Sequence, residues 1–184
     1  MSALRIDKQN LQLSLLNPHD LKELQALSIK TFQDAFGSVN TEEDMKIYLE
    51  QAFGEAQLLE ELQDTDTDFY FLKNGRETVG YCKLKFGLPN THSGNGKALE
   101  ICRLYVLQQY QGKQLGQWML NNIVQMAEER GLDFAWLGVW SQNPGAIRLY
   151  ERNGFSKIGS YTFMLGNDAQ TDYILKRELR DEMS

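Results

Sequence analysis

The amino-acid sequence predicts an α+β domain, with one central mixed, mostly antiparallel sheet flanked by helices. Three observations carry that expectation. Phe69–Leu72 and Val79–Phe86 are β-prone runs around Asn74-Gly75, the dipeptide of a tight hairpin. Phe134–Trp140 is a nearly continuous apolar run, of the kind buried on both faces of a sheet. Other stretches carry apolar residues at helical spacing, and the two kinds of segment are mixed along the chain. At 184 residues and 42% apolar content, the chain is expected to form one domain spanning 1–184 with a full core.

Taken in order, residues 10–16 alternate weakly and read as a first strand. Asn17-Pro18-His19-Asp20 is a helix start: Asn17 can cap, Pro18 suits the first helical position, and Asp20 favours the helix dipole. Leu21, Leu24, Leu27, Ser28, Phe32 and Phe36 then line one helix face, and Gly37 ends it. A second helix starts at Asn40 or Thr41 and runs to Phe53. A third spans Glu55–Leu62. The hairpin follows, and then Leu88–Lys97, polar and Gly-rich, reads as a loop in which His92 is a solvated residue rather than a base. Residues 99–106 form a strand that breaks at Gln108–Gln111. A helix then opens on Gly112–Gly116, burying Leu115, Met119, Leu120, Ile123, Val124 and Ala127 and stopping at Gly131. After the Phe134–Trp140 strand come a helix from Asn143 to Asn153 and two closing strands, near Ser156–Met164 and Tyr173–Lys176.

Composition excludes several classes. The net charge of -6 argues against nucleic acid as the main partner and suits a cationic substrate. No run of 18 apolar residues exists to span a membrane, and the first residues lack a basic segment followed by an apolar one, so a cytoplasmic location is expected. Cys82 and Cys102 lie in strands and not in a metal-type pair, and with two distant histidines no metal site is expected.

The chemistry resides in the strand–turn–helix of Glu100–Leu120. The first turn of a helix presents unpaired backbone N–H groups and about half a positive charge, which suits a pyrophosphate. Glycines at 112 and 116 let a ligand approach that backbone. The spacing fits neither Gly-x-Gly-x-x-Gly nor Gly-x-x-x-x-Gly-Lys-Ser/Thr. It does resemble the coenzyme A loop of the GNAT N-acetyltransferases: Gln or Arg, two residues, Gly, one residue, Gly or Ala. Gln111, Gln114 and Gly116 occupy the marked positions. Gln114 departs from the usual Gly, and a helical φ there would leave its N–H usable. Residues 137–155 resemble the other motif of that family, Asn-x-x-Ala-x-x-x-Tyr-x-x-x-Gly-Phe, through Asn143, Ala146, Tyr150, Gly154 and Phe155.

The resemblance implies the acyl-CoA N-acyltransferase fold, with acetyl-CoA or coenzyme A bound by Leu104, Tyr105, Val106, Gln111, Gly112, Lys113, Gln114, Leu115, Gly116, Gln117, Asn143, Ala146 and Tyr150. A bulge near Tyr105 and Val106 would splay their strand from Phe134–Trp140 so that pantetheine slots between them. Neutralising a primary amine at pH 7 costs about 4.6 kcal/mol, so a general base helps. Glu100 is the candidate base. Tyr150, whose counterpart sits beside the sulfur, is the candidate acid. The N–H of Tyr105 or Val106 would receive the thioester carbonyl.

A narrower resemblance is to the PaiA-type bacterial polyamine acetyltransferases, through residues 27–32, 45–50, 136–140 and 166–172. It implies spermidine or spermine as the acceptor, with Glu43, Asp44, Glu50 and Asp172 available as carboxylates. Two alternatives stand beside it: acetylation of another amine, such as a peptide N-terminus or an antibiotic, and a coenzyme A-binding regulator without turnover. The sequence admits a homodimer.

Overall fold

The computed structural model describes residues 6–87 and 94–179, so His92 and most of the Leu88–Lys97 loop fall outside the described residues. Strand β1 (Leu11–Leu15) leads into a single 3-10 turn, Pro18–Asp20, on which Asn17 and Asp20 form a reciprocal capping box. Helices α1 (Leu21–Phe36), α2 (Glu42–Phe53) and α3 (Glu55–Gln63) follow, then β2 (Thr67–Asn74), β3 (Glu77–Gly87) and β4 (Ala98–Val106). Helix α4 (Leu115–Glu129), β5 (Phe134–Trp140), α5 (Pro144–Arg152), β6 (Ser156–Leu165) and β7 (Asp168–Glu178) complete the chain. The last strand is longer than its apolar stretch announced, because Gly166-Asn167 closes a tight hairpin that keeps Asp168–Asp172 in register with Tyr161–Leu165.

The seven strands form one sheet in the order β1-β2-β3-β4-β5-β7-β6. Only β4 and β5 run parallel; every other neighbouring pair is antiparallel. Strand alternation divides the apolar residues between the two faces. Leu72, Leu84, Leu99, Ile101, Leu137 and Val139 pack with Met119, Leu120 and Ile123 of α4 and with Tyr150 of α5. Phe69, Phe71 and Tyr81 pack on the opposite face with Leu24, Phe32, Met45, Phe53 and Leu58 of α1, α2 and α3. Among the described residues no helix is long and apolar enough to cross a membrane.

Two irregularities near the middle of the sheet shape everything that follows. Lys83 pairs with Arg103 but Leu84 pairs with Ile101, so Cys102 is an extra residue bulged out of β4. This bulge lies at Cys102, before the Tyr105–Val106 position expected for it, and it reverses the alternation of the strand. Leu99 and Ile101 face α4 ahead of it; beyond it Leu104 and Val106 take that face, while Tyr105 joins the α1–α3 cluster and stacks on Tyr81 at 5.8 Å. The second irregularity is the brevity of the parallel pairing. Only Ala98–Glu100 pair with Phe134–Trp136. Past that point β4 and β5 part, leaving a wedge-shaped gap in the sheet.

Candidate active site

The gap turns the sheet from a wall into a passage. One cavity of about 190 Å³ runs through it, lined on the α5 side by Asn143, Ala146 and Tyr150, on the parted strands by Glu100, Leu104, Tyr105 and Gly138, and on the opposite side by Phe36, Tyr161 and Asp172. Its backbone polarity follows from the pairing of β4. The Leu107 N–H donates to the Val79 carbonyl at 2.9 Å, so by alternation the Tyr105 N–H also points at β3. The N–H groups of Leu104 and Val106 therefore point into the gap. Of the two amides expected to meet a carbonyl, the geometry leaves Val106 available and Tyr105 committed.

At the open end of the gap β4 runs into a 3-10 turn, Gln108–Tyr110, and then the loop before α4. Gln111 is extended (φ -65, ψ 161), and its side-chain Nε2 donates to the Val106 carbonyl at 3.2 Å. Gly112 has φ 74, with open space where a Cβ would stand. Gln114 is not helical: it adopts φ 63 and ψ 20, left-handed backbone, and is the one non-glycine residue with positive φ among those described. That conformation costs a residue with a Cβ about 1–2 kcal/mol, and it is why glycine is usual there. The helix consequently begins at Leu115, later than Gly112, with Gln114 as its N-cap. No side chain caps it and no acidic residue sits in its first turn.

The remaining loop residues divide by use. Leu115 is buried in the core, so only its backbone faces the loop. Gln117 is engaged through its carboxamide, which exchanges hydrogen bonds of 2.6 and 2.9 Å with Asn153 and thereby ties α4 to the end of α5. Lys113 is half-buried beside the loop. A hypothetical Cβ on Gly116 would rest against Leu149 at 3.6 Å, which alanine could tolerate. Asn143 caps α5, its Oδ1 accepting from the Ala146 N–H at 3.1 Å.

Comparison with known proteins decides what this arrangement is. Residues 29–155 match the model of the acetyltransferase (GNAT) family. An uncharacterized N-acetyltransferase in the pepI 3′ region of Lactobacillus delbrueckii subsp. lactis is 37% identical over 164 residues, covering 87% of this chain and 92% of the relative. The chain belongs to the GNAT family of acetyltransferases. The GNAT fold is borne out by the crystal structure of PaiA N-acetyltransferase from Thermoplasma acidophilum in complex with coenzyme A. It superposes with a TM-score of 0.74 over 91% of this chain and 98% of that one, at 20% identity. The spermidine N(1)-acetyltransferase of Thermoplasma acidophilum is 23% identical over 150 residues, 79% of this chain and 88% of the relative.

This GNAT chain is thus an N-acetyltransferase, with acetyl-CoA as donor. Its residues fit that donor: an uncapped helix N-terminus without acids suits a pyrophosphate, and parted strands with amides directed into the gap suit an extended amide-bearing arm. Tyr150 is 8% exposed and packs edge-on to Phe155 at 5.8 Å. Burial pushes its phenol up to about 12, so it is protonated at neutral pH. Glu100 stands at the closed end of the gap, in the last parallel pair, on the face opposite Tyr150. Burial raises its carboxyl above the ordinary range, against the pull of Lys83 and Lys85.

The face of the cavity opposite Tyr150 holds what the motifs did not announce. Of the carboxylates considered for an amine, Glu43 and Glu50 are exposed on α2. Asp44 is spent on structure: it accepts from Thr41 Oγ1 and from the Asn167 N–H, both at 2.7 Å, pinning the β6–β7 hairpin to α2. Only Asp172 reaches the cavity, with the Tyr161 hydroxyl donating to its Oδ2 at 3.3 Å. Tyr161 can lie there because Gly138 has no side chain; a Cβ on Gly138 would stand 2.2 Å from that hydroxyl. Arg103, also on the cavity wall, is bound to Glu61 of α3 at 3.2 Å, and Lys83 meets the same carboxylate at 2.7 Å. Along the chain Asp172 follows Asp168, Gln170 and Thr171 in a polar stretch, so no local signal marks it as buried.

Proposed function

We propose that the protein acetylates a primary amine of a small cationic acceptor of the spermidine class, by direct attack of the amine on the thioester of acetyl-CoA. The observation that carries this reading is the single cavity through the parted strands, which places Tyr150 on one face of the sheet and Glu100 on the other. A spermidine N(1)-acetyltransferase among the relatives supports the substrate class, as do Glu100 and Asp172, two cavity carboxylates with no ion pair among the described residues.

Acetyl-CoA supplies an acetyl group activated as a thioester. Backbone amides of Gly112–Gln117 hold its phosphates, with Lys113 adding charge. Leu104, Asn143 and Ala146 flank the pantetheine arm; Asn143 offers its NH₂ group, its oxygen being engaged in the cap. The Val106 N–H points into the gap, where it would stabilise negative charge developing on the thioester oxygen. Glu100 accepts the proton from the incoming ammonium, directly or through one water, and its raised pKa brings it nearer to that task. The amine nitrogen forms the new C–N bond, the C–S bond breaks, and the Tyr150 phenol gives its proton to the departing sulfur; the nitrogen sheds its second proton as the amide forms, the Tyr150 phenolate regains a proton by way of solvent, and Glu100 releases its own to water.

Thiol release from acetyl-CoA in the presence of spermidine tests the reading. Turnover is expected. Ligand-dependent melting without thiol release across polyamines, amino acids and peptides would instead make the protein a coenzyme A sensor.

A further inference from the structure

Asp172 is the one charged residue among the described residues that is buried, at 8% exposure. Among the described residues its carboxylate has one hydrogen bond, from a neutral phenol, Tyr161, and no lysine, arginine or histidine pairs with it. Glu61 shows how the same fold treats a shielded carboxylate that it means to neutralise. Burial pushes that group up, but Arg103 at 3.2 Å and Lys83 at 2.7 Å outweigh it and hold the carboxyl below its ordinary range. A buried charge without a counter-ion is costly unless something outside the chain supplies one.

The surroundings specify what would supply it. Asp172 opens onto the same cavity as Glu100 and Tyr150, among the rings of Trp140, Phe36, Tyr48 and Tyr161. Aromatic faces favour an organic cation and its methylenes over a hydrated metal ion. Register separates the two carboxylates. Glu100 pairs with Trp136 and Asp172 with Trp140, four residues further along β5. That is a backbone offset of about 13 Å at roughly 3.3 Å per residue, so the two acids address different nitrogens.

We propose that Asp172, held in place by Tyr161, binds a second ammonium group of the acceptor, so that the substrate is a diamine or longer polyamine anchored at one nitrogen and acetylated at another. This rests on the amine-acetylation reading above and narrows its substrate class. Tyr161 is a positioning residue here, and Gly138 is the gap in β5 that admits it.

Asp172→Asn removes the charge and keeps both the shape and an acceptor for Tyr161. The test compares kcat/KM for octane-1,8-diamine, long enough to bridge that offset, and for octylamine, by thiol release, in parent and variant, with melting curves to confirm folding. The diamine-to-monoamine ratio is expected to fall at least tenfold, the loss residing in the diamine KM; an unchanged ratio overturns the anchor. If the variant does not fold, the same ratio measured on Tyr161→Phe decides, with a smaller fall expected. Calorimetric titration of the coenzyme A-loaded protein with the diamine separates this proposal from the one it rests on. Heat with the parent and none with Asp172→Asn, in the absence of any turnover, keeps the anchor and removes the acetylation reading. Equal turnover of both amines by both proteins keeps the enzyme and removes the anchor.

Discussion

The two sides of the gap in the sheet are built by different means. On the reading proposed above, the donor side is made of contiguous backbone: the end of β4, the loop through Gln114, the first turn of α4, and the start of α5 one strand later. The acceptor side is made of side chains from scattered elements: Phe36 from α1, Tyr48 from α2, Glu100 from β4, Trp140 from β5, Tyr161 from β6 and Asp172 from β7. A backbone cradle for phosphate needs particular residues at fixed short spacing. A pocket for an amine needs only that a few groups arrive at one place, from any distance along the chain. The first kind of site constrains sequence locally and the second does not.

The largest expected effect breaks the catalytic link between the two sides. Tyr150→Phe removes the proposed proton donor while preserving the edge contact with Phe155, and kcat should fall by about 10²-fold with acetyl-CoA affinity retained. Steady-state kinetics with calorimetry on coenzyme A check it; unchanged turnover removes Tyr150 from the chemistry. The same residue shapes the pH profile. Its phenol, pushed up to about 12 by burial, remains protonated through the alkaline range, so the rate should show no falling limb short of that region. If Glu100 is the base as proposed, the acidic limb should lie above the ordinary carboxylate range because burial raises that group, and Glu100→Gln should abolish the limb together with most of the rate.

Next in size is a change confined to the acceptor side. Gly138→Ala places a methyl group where the Tyr161 hydroxyl now lies, 2.2 Å from the new carbon. Tyr161 must swing away from Asp172, and since only the far end of a half-buried side chain moves, the melting temperature should change little. The amine KM should rise several-fold while the KM for acetyl-CoA holds. Equal increases in both would show that the two sides are not separable.

That contrast also explains what was legible in the sequence. The strand–turn–helix and the Asn143–Phe155 segment stood out in the sequence because Gly112 takes a left-handed backbone and Asn143 caps a helix, and both demands are local. The sheet and helices were readable from periodicity, since burial on two faces imposes it. The bulge at Cys102 was placed too late, because the extra residue carries no local signature: it exists only in the pairing with Lys83 and Leu84. For the same reason Asp44 and Asp172 could not be told apart along the chain. One caps a turn 123 residues away, and the other is buried against Tyr161 across a hairpin.

A smaller effect probes the electrostatics of the acceptor side without substrate. Burial raises the Asp172 carboxyl above its ordinary value of 3.8. A folded pKa above the unfolded one means that the folded chain is relatively most stable when the group is protonated, and that this advantage is lost as pH rises through the folded pKa. At neutral pH the buried carboxylate therefore destabilises the protein in the absence of ligand. Asp172→Asn should melt higher than the parent at pH 7, by about 2–4 °C for each kcal/mol relieved, and the difference should close as pH falls through the ordinary aspartate range near 4. A variant that melts lower at every pH would show that the carboxylate has an internal partner after all.

The smallest expected effect lies on the donor side, at the one residue whose identity opposes its backbone. Gln114 holds φ 63 with a Cβ, and its side chain reaches only an exposed contact, Oε1 accepting from Lys8 Nζ at 3.3 Å. Gln114→Gly relieves about 1–2 kcal/mol of left-handed strain and gives back about 0.4–1 kcal/mol through the looser unfolded chain, for a net gain near 1 kcal/mol. Gln114→Ala drops the same side chain but keeps the strain, so it should gain nothing. A melting temperature that rises by about 2–4 °C for glycine and stays level for alanine locates the effect in the backbone. Equal shifts would place it in the Lys8 contact instead. Because glycine also strips the loop of the side chain beside its amides, coenzyme A affinity should hold or tighten slightly in the same variant. A loss of affinity would mean that the strained residue was holding the loop in its binding shape, and that the donor side depends on a side chain after all.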